Sequence, residues 1–229
     1  MSRYLEFNSK HMGGTFTVRV FPSSFFDKDK ISKIIKDSFK VVSDIEEKLT
    51  DFKDSPFNEI NRKAGVSPVV VDREIMDLIL KSQDYSIKSS GLFDISYASV
   101  GHIWRKYLKD NIKPDEAEIQ ELKSLIDFKN ILVSKSDMTV FLPHKGMKIS
   151  LGGIGKGYAV DKLFEKLRSQ QIENFQINGS GDIRVHSSLS APRPWRIGIR
   201  NPLAKESRLM GYLNIQNGSV ATSGDYSQV

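Results

Sequence analysis

Four glycines fall within six residues, Gly152, Gly153, Gly155 and Gly157, between an apolar run at 147–151 and an amphipathic stretch at 156–168. The run reads as a strand, the stretch as a helix, and the glycines as a tight turn whose backbone a ligand can approach closely. A helix starting there presents unpaired N–H groups and the positive end of its dipole, and Lys156 adds a full charge at the same place. Together these make a phosphate site. Two familiar phosphate loops are excluded. A Walker A loop needs Gly six residues before the Lys and Ser or Thr after it, where Ser150 and Gly157 stand. A dinucleotide fingerprint fits at Gly153 and Gly155 but meets Tyr158 where its last Gly belongs. On composition alone, the same residues also describe a tight strand-to-helix turn with a solvated lysine.

The remaining segments mix two periods. Residues 14–21 alternate, with Phe16, Val18 and Val20 on one side and Thr17 and Arg19 on the other, which predicts a half-buried strand ended by Pro22. Residues 30–49 carry Ile31, Ile34, Ile35, Val42, Ile45 and Leu49 on one stripe, which predicts a helix capped by Asp29. Val69 to Val71 reads as a short buried strand or a strand end. A second helix, capped by Asp72, follows with Ile75, Leu78, Ile79 and Leu80 as its apolar set, and Gly91 breaks it. Leu92 to Trp104 has loop character. Pro114 opens a third helix, with Asp115 and Glu116 at its positive end and Ile119, Leu122, Leu125 and Ile126 buried. Strands are expected at 131–133, 139–142, 147–151, 175–178, 183–186, 195–200, 213–215 and 220–221. There is no clean βαβ period, so the fold class is α+β, with mixed or antiparallel sheets and packed helices, in a single domain over 1–229.

With 229 residues, 39% of them hydrophobic, the chain can bury a sizeable core. The net charge of +6 suits anionic partners, but no block of like charges marks a nucleic-acid binder, and none is expected. The absence of cysteine excludes disulfides, thiolate metal sites and Cys nucleophiles. His11, His102, His144 and His186 are scattered and read as structural or surface groups, implying no zinc site. Trp104 and Trp195 read as core anchors. Asn178 to Asp182 reads as a hairpin loop, and Ala221 to Asp225 as a strand end whose hydroxyls hold phosphate or cap a turn. No stretch reaches the roughly 20 apolar residues that span a bilayer, and the first residues carry no export signal or lipidation cysteine. As written, the sequence points to the cytoplasm, with a periplasmic or membrane-anchored form as the alternative. Its oligomeric state is not legible.

Taken in order, these pieces resemble the FAD:protein FMN transferase family, also called ApbE. Met12-Gly13-Gly14 with Phe16 and Val18 looks like that family's M-G-T strand. Leu49 to Asn61, with Phe52 and Ser55, is similar to its S-x-Y/F…S-E-x-S-x-x-N segment, and Gly91 to Ile95 followed by Trp104 to its G-x-F-D…W segment. Gly152 to Asp161 resembles D-L-G-G-x-x-K-G-Y-x-x-D, and Asn178 to Ile183 its G-G-D turn. Pro194 to Pro202 resembles P-W-x-V-G-I-x-x-P, and Thr222 to Tyr226 its T-S-G-D-Y.

The resemblance implies an enzyme that binds FAD and Mg²⁺, breaks the pyrophosphate and joins FMN by a phosphoester to a Thr or Ser of an acceptor protein, releasing AMP. It implies flavin- or adenine-side contacts at Met12, Phe52, Leu92, Phe93 and Asp94, and further FAD contacts at Ser150, Thr222 and Ser223. Lys156 becomes the phosphate-side catalytic lysine, and the Gly153 carbonyl a Mg²⁺ ligand. The sequence departs from the pattern at Gly14 for Thr, Pro56 for Glu and Ser150 for Asp. It also stops at Val229, before the family's catalytic His beside D-P-R-T-G and its Asp-containing metal segment, so the C-terminal part is expected to be missing. With a backbone carbonyl alone, weak Mg²⁺ binding is expected. The alternative expectation is a non-catalytic flavin or nucleotide binder.

Overall fold

The alternation at 14–20 is realised as an interior strand of a five-stranded sheet. The computed structural model describes residues 4–22, 27–110, 112–113, 115–204 and 208–223. In chain order the elements are β1 (Leu5–His11), β2 (Gly14–Val20), α1 (Lys28–Leu49), α2 (Asn58–Arg62), β3 (Val69–Val70), α3 (Arg73–Lys88), α4 (Ala98–Asp110) and α5 (Glu116–Lys123). There follow β4 (Leu132–Ser134), β5 (Thr139–Phe141), α6 (Gly155–Ser169), β6 (Phe175–Gly179), β7 (Asp182–His186), β8 (Trp195–Arg200), β9 (Leu209–Ile215) and β10 (Gly218–Val220). Every strand pair is antiparallel. The α+β class is therefore as the sequence reads. Among the described residues no helix is long and apolar enough to cross a membrane.

The chain divides into two compact units, one of residues 1–46 with 156–229 and one of residues 47–155. The first holds a five-stranded sheet in the order β1-β2-β6-β7-β10. Phe16, Val18 and Val20 of β2 and Phe175 and Ile177 of β6 are buried, as are Ile31, Ile35, Val42 and Ile45 of α1 and Ala159, Leu163 and Leu167 of α6. At Gly179 a Cβ would meet Val160 Cγ2 at 2.6 Å and Phe16 Cε1 at 3.0 Å, so only glycine lets α6 lie this close to the strand. The β8–β9 hairpin packs Trp195 and Ile197 on Val185, Phe21 and Ile183. Trp195 is the core anchor expected, and its indole N–H donates to the His186 carbonyl at 3.1 Å.

The second unit sets a three-stranded sheet, β3-β5-β4, with helices whose buried residues include Ile60, Ile75, Met76, Ile79 and Ile95. Asp72 caps α3 as expected, accepting from the Ile75 N–H at 2.9 Å.

Several expectations are corrected. The α1 cap is Asp27, which accepts from the Lys30 N–H at 2.7 Å; Asp29 lies inside the first turn. Leu92 to Trp104 is not a loop: Asp94 caps a 3-10 turn at Ile95–Tyr97 that runs into α4. The run 147–151 is not a strand, because side chains replace the ladder. Asn61 both accepts from the Ile149 N–H at 2.8 Å and donates to the Ile149 carbonyl at 3.0 Å. Ser99 Oγ accepts from the Lys148 N–H at 3.0 Å, and the Ser150 N–H donates to the Ile95 carbonyl at 2.9 Å. The stripe on α5 is only half-buried, because this short helix packs on α4, itself at the surface. Trp104 of α4 is 48% exposed and anchors no core. Strand β1 was not foreseen. Pro114 lies outside the described residues, and α5 is capped by Asp115.

Candidate functional site

The sequence-based reading names ten residues, each within one unit or the other. Within the second unit lie Phe52, Leu92, Phe93, Asp94, Ser150 and Gly153; within the first lie Met12, Lys156, Thr222 and Ser223.

In the second unit the structure brings Phe93 onto the glycine turn. A Cβ at Gly153 would meet Phe93 Cε2 at 3.0 Å. Both residues line a cleft of about 410 Å³ with Tyr85, Lys88, Ser89 and Ile154. The cation there, Lys88, is held by Asp84 at 2.6 Å. Leu92 projects into solvent, 93% exposed. Asp94 has its carboxylate fully engaged: it accepts from the Ser96 N–H at 2.8 Å, the Ser96 hydroxyl at 2.6 Å and the Phe128 N–H at 2.9 Å. Its visible work is to cap the turn into α4 and hold Phe128 to it.

Ser150 is buried, and its hydroxyl accepts from the Gly152 N–H at 3.2 Å. It also hydrogen-bonds Asp51, a buried carboxylate that His102 Nε2 meets at 2.9 Å. Burial pushes the Asp51 carboxyl up, but the hydrogen bonds from His102 and Ser150, with the His102 charge, outweigh it and hold the group below its ordinary 3.8. A carboxylate therefore stands one hydrogen bond behind Ser150, at the head of the glycine turn. Sequence reading missed Asp51, which lies 51 residues from His102, and no local pattern joins the two.

Phe52 is 73% exposed, with the Arg105 guanidinium carbon 4.9 Å from its ring centroid and the His102 ring tilted at 6.1 Å. Arg105 Nη2 donates to the Tyr97 hydroxyl at 3.3 Å. These neighbours were also missed. Their signal is the spacing Tyr97, Gly101, Arg105, which is one helical face only once the segment is known to be helical.

In the first unit, Met12 and Gly13 form the two-residue turn between β1 and β2, both with left-handed φ (51° and 73°). That backbone is the one a tight β-hairpin requires. Beside it a polar cleft of about 420 Å³ is lined by Lys10, His11, Gly13, Gly14, Thr15 and Glu46. His11 is fixed there by Ser9 at 2.7 Å and Glu46 at 3.6 Å. Lys156 is half-buried in the first turn of α6, a turn without an acidic residue. Its charge acts on Asp182 at the start of β7. Burial raises the Asp182 carboxyl above its ordinary 3.8, and Lys156 pulls against that rise. The Asn178–Asp182 stretch is the hairpin loop expected, closed by the Gly181 N–H donating to Asn178 Oδ1 at 2.8 Å. Thr222 and Ser223 are exposed beyond β10, while Gly224, Asp225 and Tyr226 of the same motif lie outside the described residues.

For Mg²⁺, the described residues offer the Gly153 carbonyl, and they gather no cluster of three His, Cys, Asp or Glu side chains. By themselves they do not fit an ion that favours octahedral oxygen coordination.

A family model described as the ApbE family matches residues 12–229. The chain is 31% identical over 191 residues to an FAD:protein FMN transferase of Klebsiella pneumoniae (strain 342), covering 83% of this chain and 58% of that protein. It is 26% identical to the FAD:protein FMN transferase of Treponema pallidum (strain Nichols), covering 76% and 52%. It thus spans little over half the length of these curated relatives. Among solved structures, the ApbE protein of Thermotoga maritima MSB8 superposes with a TM-score of 0.84 at 27% identity, covering 98% of this chain and 71% of that one. The flavin transferase ApbE of Vibrio cholerae has the same fold, with a TM-score of 0.83 at 18% identity and coverage of 99% and 73%. With the family model matched from the Met12 turn through the glycine turn to the final residue, the chain belongs to the ApbE family.

Proposed function

We propose that this chain belongs to an enzyme that cleaves FAD and transfers its FMN half to a Thr or Ser hydroxyl of an acceptor protein. The observation that carries the reading is the glycine turn at 152–157, which leads into α6 with Lys156, and no acid, in the first helical turn. Relatives sharing this chain's family are named as FAD:protein FMN transferases.

In the proposed reaction, the acceptor hydroxyl oxygen attacks the flavin-side phosphorus. The bond from that phosphorus to the bridging oxygen breaks, AMP leaves with the electron pair, and the hydroxyl proton passes to water. Charge grows on the departing phosphate, and catalysis is chiefly a matter of meeting that charge with a preset field. Lys156 supplies one positive charge, and the N-terminal N–H groups of α6 supply partial ones. Ser150 and Asp51 hold the head of the turn in place. Mg²⁺ belongs to the reading as the counter-ion of the diphosphate, with the Gly153 carbonyl as one ligand. Since the described residues do not complete such a site, no step is assigned to it.

The experiment is incubation with FAD, Mg²⁺ and a Thr-containing acceptor. It is read by in-gel flavin fluorescence on the acceptor and by AMP in solution, with Lys156→Ala in parallel. Labelled acceptor with one AMP released per flavin, and a marked loss in Lys156→Ala, is the expected outcome. FAD binding without AMP release would instead mark a non-catalytic flavin binder. An unchanged rate in Lys156→Ala would remove the lysine's role.

A further inference from the structure

We propose that Arg105 binds the diphosphate of FAD, as an arm held ready beside the glycine turn by Tyr97 and Phe52. The inference rests on the flavin transferase reading and adds to it a residue that the sequence pattern does not single out.

The argument starts from helix geometry. Tyr97, Gly101 and Arg105 follow at i, i+4 and i+8 and share a face. A Cβ at Gly101 would meet Tyr97 Cε2 at 2.9 Å, so glycine leaves room for the ring to lie along the helix. The Tyr97 hydroxyl then stands 3.6 Å from the place a Cβ on Gly152 would occupy. The phenol oxygen thus reaches the exposed turn, and Arg105 Nη2 donates to that same oxygen at 3.3 Å. On its other side the guanidinium lies over the Phe52 ring, 4.9 Å from its centroid.

The charge state of the neighbours gives this arrangement its use. Among the described residues Arg105 has no carboxylate partner. Asp51 is occupied by His102 and Ser150, and Lys88, the cation of the adjoining cleft, is neutralised by Asp84. Arg105 therefore keeps most of its five N–H donors unspent while an aromatic ring and a phenol fix its direction. A planar guanidinium matches two phosphate oxygens at once, which an ammonium does not. The cation–π contact at an exposed ring is weak, enough to bias the arm yet too little to hold it away from a doubly charged ligand. The ligand chemistry that fits is a nucleoside diphosphate linkage set against the Gly152–Gly153 backbone.

The test compares the full chain with Arg105→Ala, Arg105→Lys and Tyr97→Phe. FAD and riboflavin are titrated by flavin fluorescence, and ADP by calorimetry. Arg105→Ala should weaken FAD and ADP by about ten-fold or more, leave riboflavin unchanged, and keep the thermal midpoint within about 2 °C, since a half-exposed helical arginine carries little stability. Arg105→Lys should recover part of the loss, and Tyr97→Phe, which frees the arm without removing it, should fall between. The proposal is overturned if Arg105→Ala binds FAD and ADP as the parent does, or if riboflavin affinity falls in step with them. Should Arg105→Ala fail to fold, Tyr97→Phe decides on the same criterion. A parent chain that binds neither FAD nor ADP would sink the flavin transferase reading and this arm with it. A parent that binds both beside an indifferent Arg105→Ala removes the arm alone.

Discussion

Position 14 illustrates how one side chain fixes another across a hairpin. The family resemblance implies Thr there, yet a Cβ at Gly14 would sit 1.9 Å from Ser180 Oγ and 2.9 Å from Ser180 Cβ. The hydroxyl can rotate away, but the Cβ is set by the backbone. Ser180 itself has a left-handed φ of 56°, a conformation that glycine holds without strain. A G-G-D turn read back from Asp182 would place glycine at 180, so the small residue and the hydroxyl have exchanged places. Gly14→Thr alone should therefore cost about 1–3 kcal/mol through overpacking. Adding Ser180→Gly should recover most of it, a coupling that a double-mutant cycle in urea would read as more than about 1 kcal/mol. Additive effects of the two changes would show that the positions are independent. Asp182, on the same hairpin, gives a pH signature. Its folded carboxyl is raised above the ordinary 3.8 by burial. A raised acid favours the folded state while protonated and loses that advantage as pH climbs through the folded value. Asp182→Asn should therefore be more stable than the parent at pH 7, and the difference should shrink as pH falls through the raised folded value toward about 4, below which both states are protonated. Midpoints of thermal unfolding at both pH values check the sign, and a parent more stable than the variant at pH 7 would contradict it.

At the scale of elements, the segment 147–151 is held by side chains rather than by a neighbouring strand, and Asn61 is the main one. Its amide pairs with both backbone groups of Ile149, as a strand residue would. Asn61→Ala leaves a buried N–H and C=O without partners, at a cost of about 2–4 kcal/mol. Denaturant unfolding should show that loss, and hydrogen exchange should show the Ile149 amide opening faster than those of β6. Protection at Ile149 equal to the parent's would mean that other contacts hold the segment. This element also shows what the sequence could reveal. Period-two alternation marked β2, which buries every second residue, while bounding Gly, Pro or Asn marked β6 and β8. The apolar run 147–151 has a strand's composition, and no local pattern shows that its partner is an amide 88 residues away. Strand β1 hid for the opposite reason, since as an edge strand it leaves Glu6, Asn8 and Lys10 exposed. The helix α4 was obscured by Gly91, Gly101 and the β-branched Val100 and Ile103, and it is entered through the 3-10 turn that Asp94 caps. Of the candidate site, the glycine turn and Lys156 were legible as local chemistry. Asp51 behind Ser150 and Arg105 beside Phe52 come together through tertiary structure.

At the scale of the whole molecule, the division into two units bears on how the chain unfolds. Domain boundaries ordinarily fall in exposed linkers rich in Gly, Pro or polar residues. Here the two places where the chain passes from one unit to the other, 46/47 and 155/156, belong to helices: α1 continues to Leu49, and α6 begins at Gly155. Melting either unit by itself would break a helix at that point and leave its last turn of N–H or C=O groups unpaired, a penalty that a flexible linker does not impose. A single domain over 1–229, the organisation read from the sequence, should therefore unfold in one step. Scanning calorimetry should give a calorimetric enthalpy equal to the van't Hoff value, with one transition by both far-ultraviolet and tryptophan signals. The two tryptophans report the units separately, since Trp195 lies in the first and Trp104 in the second. Saturating FAD, at about 100 times its dissociation constant, should shift that single transition as a whole by about 2.7 kcal/mol. Two resolved transitions, with the Trp104 signal melting apart from that of Trp195, would instead establish residues 47–155 as a domain of its own.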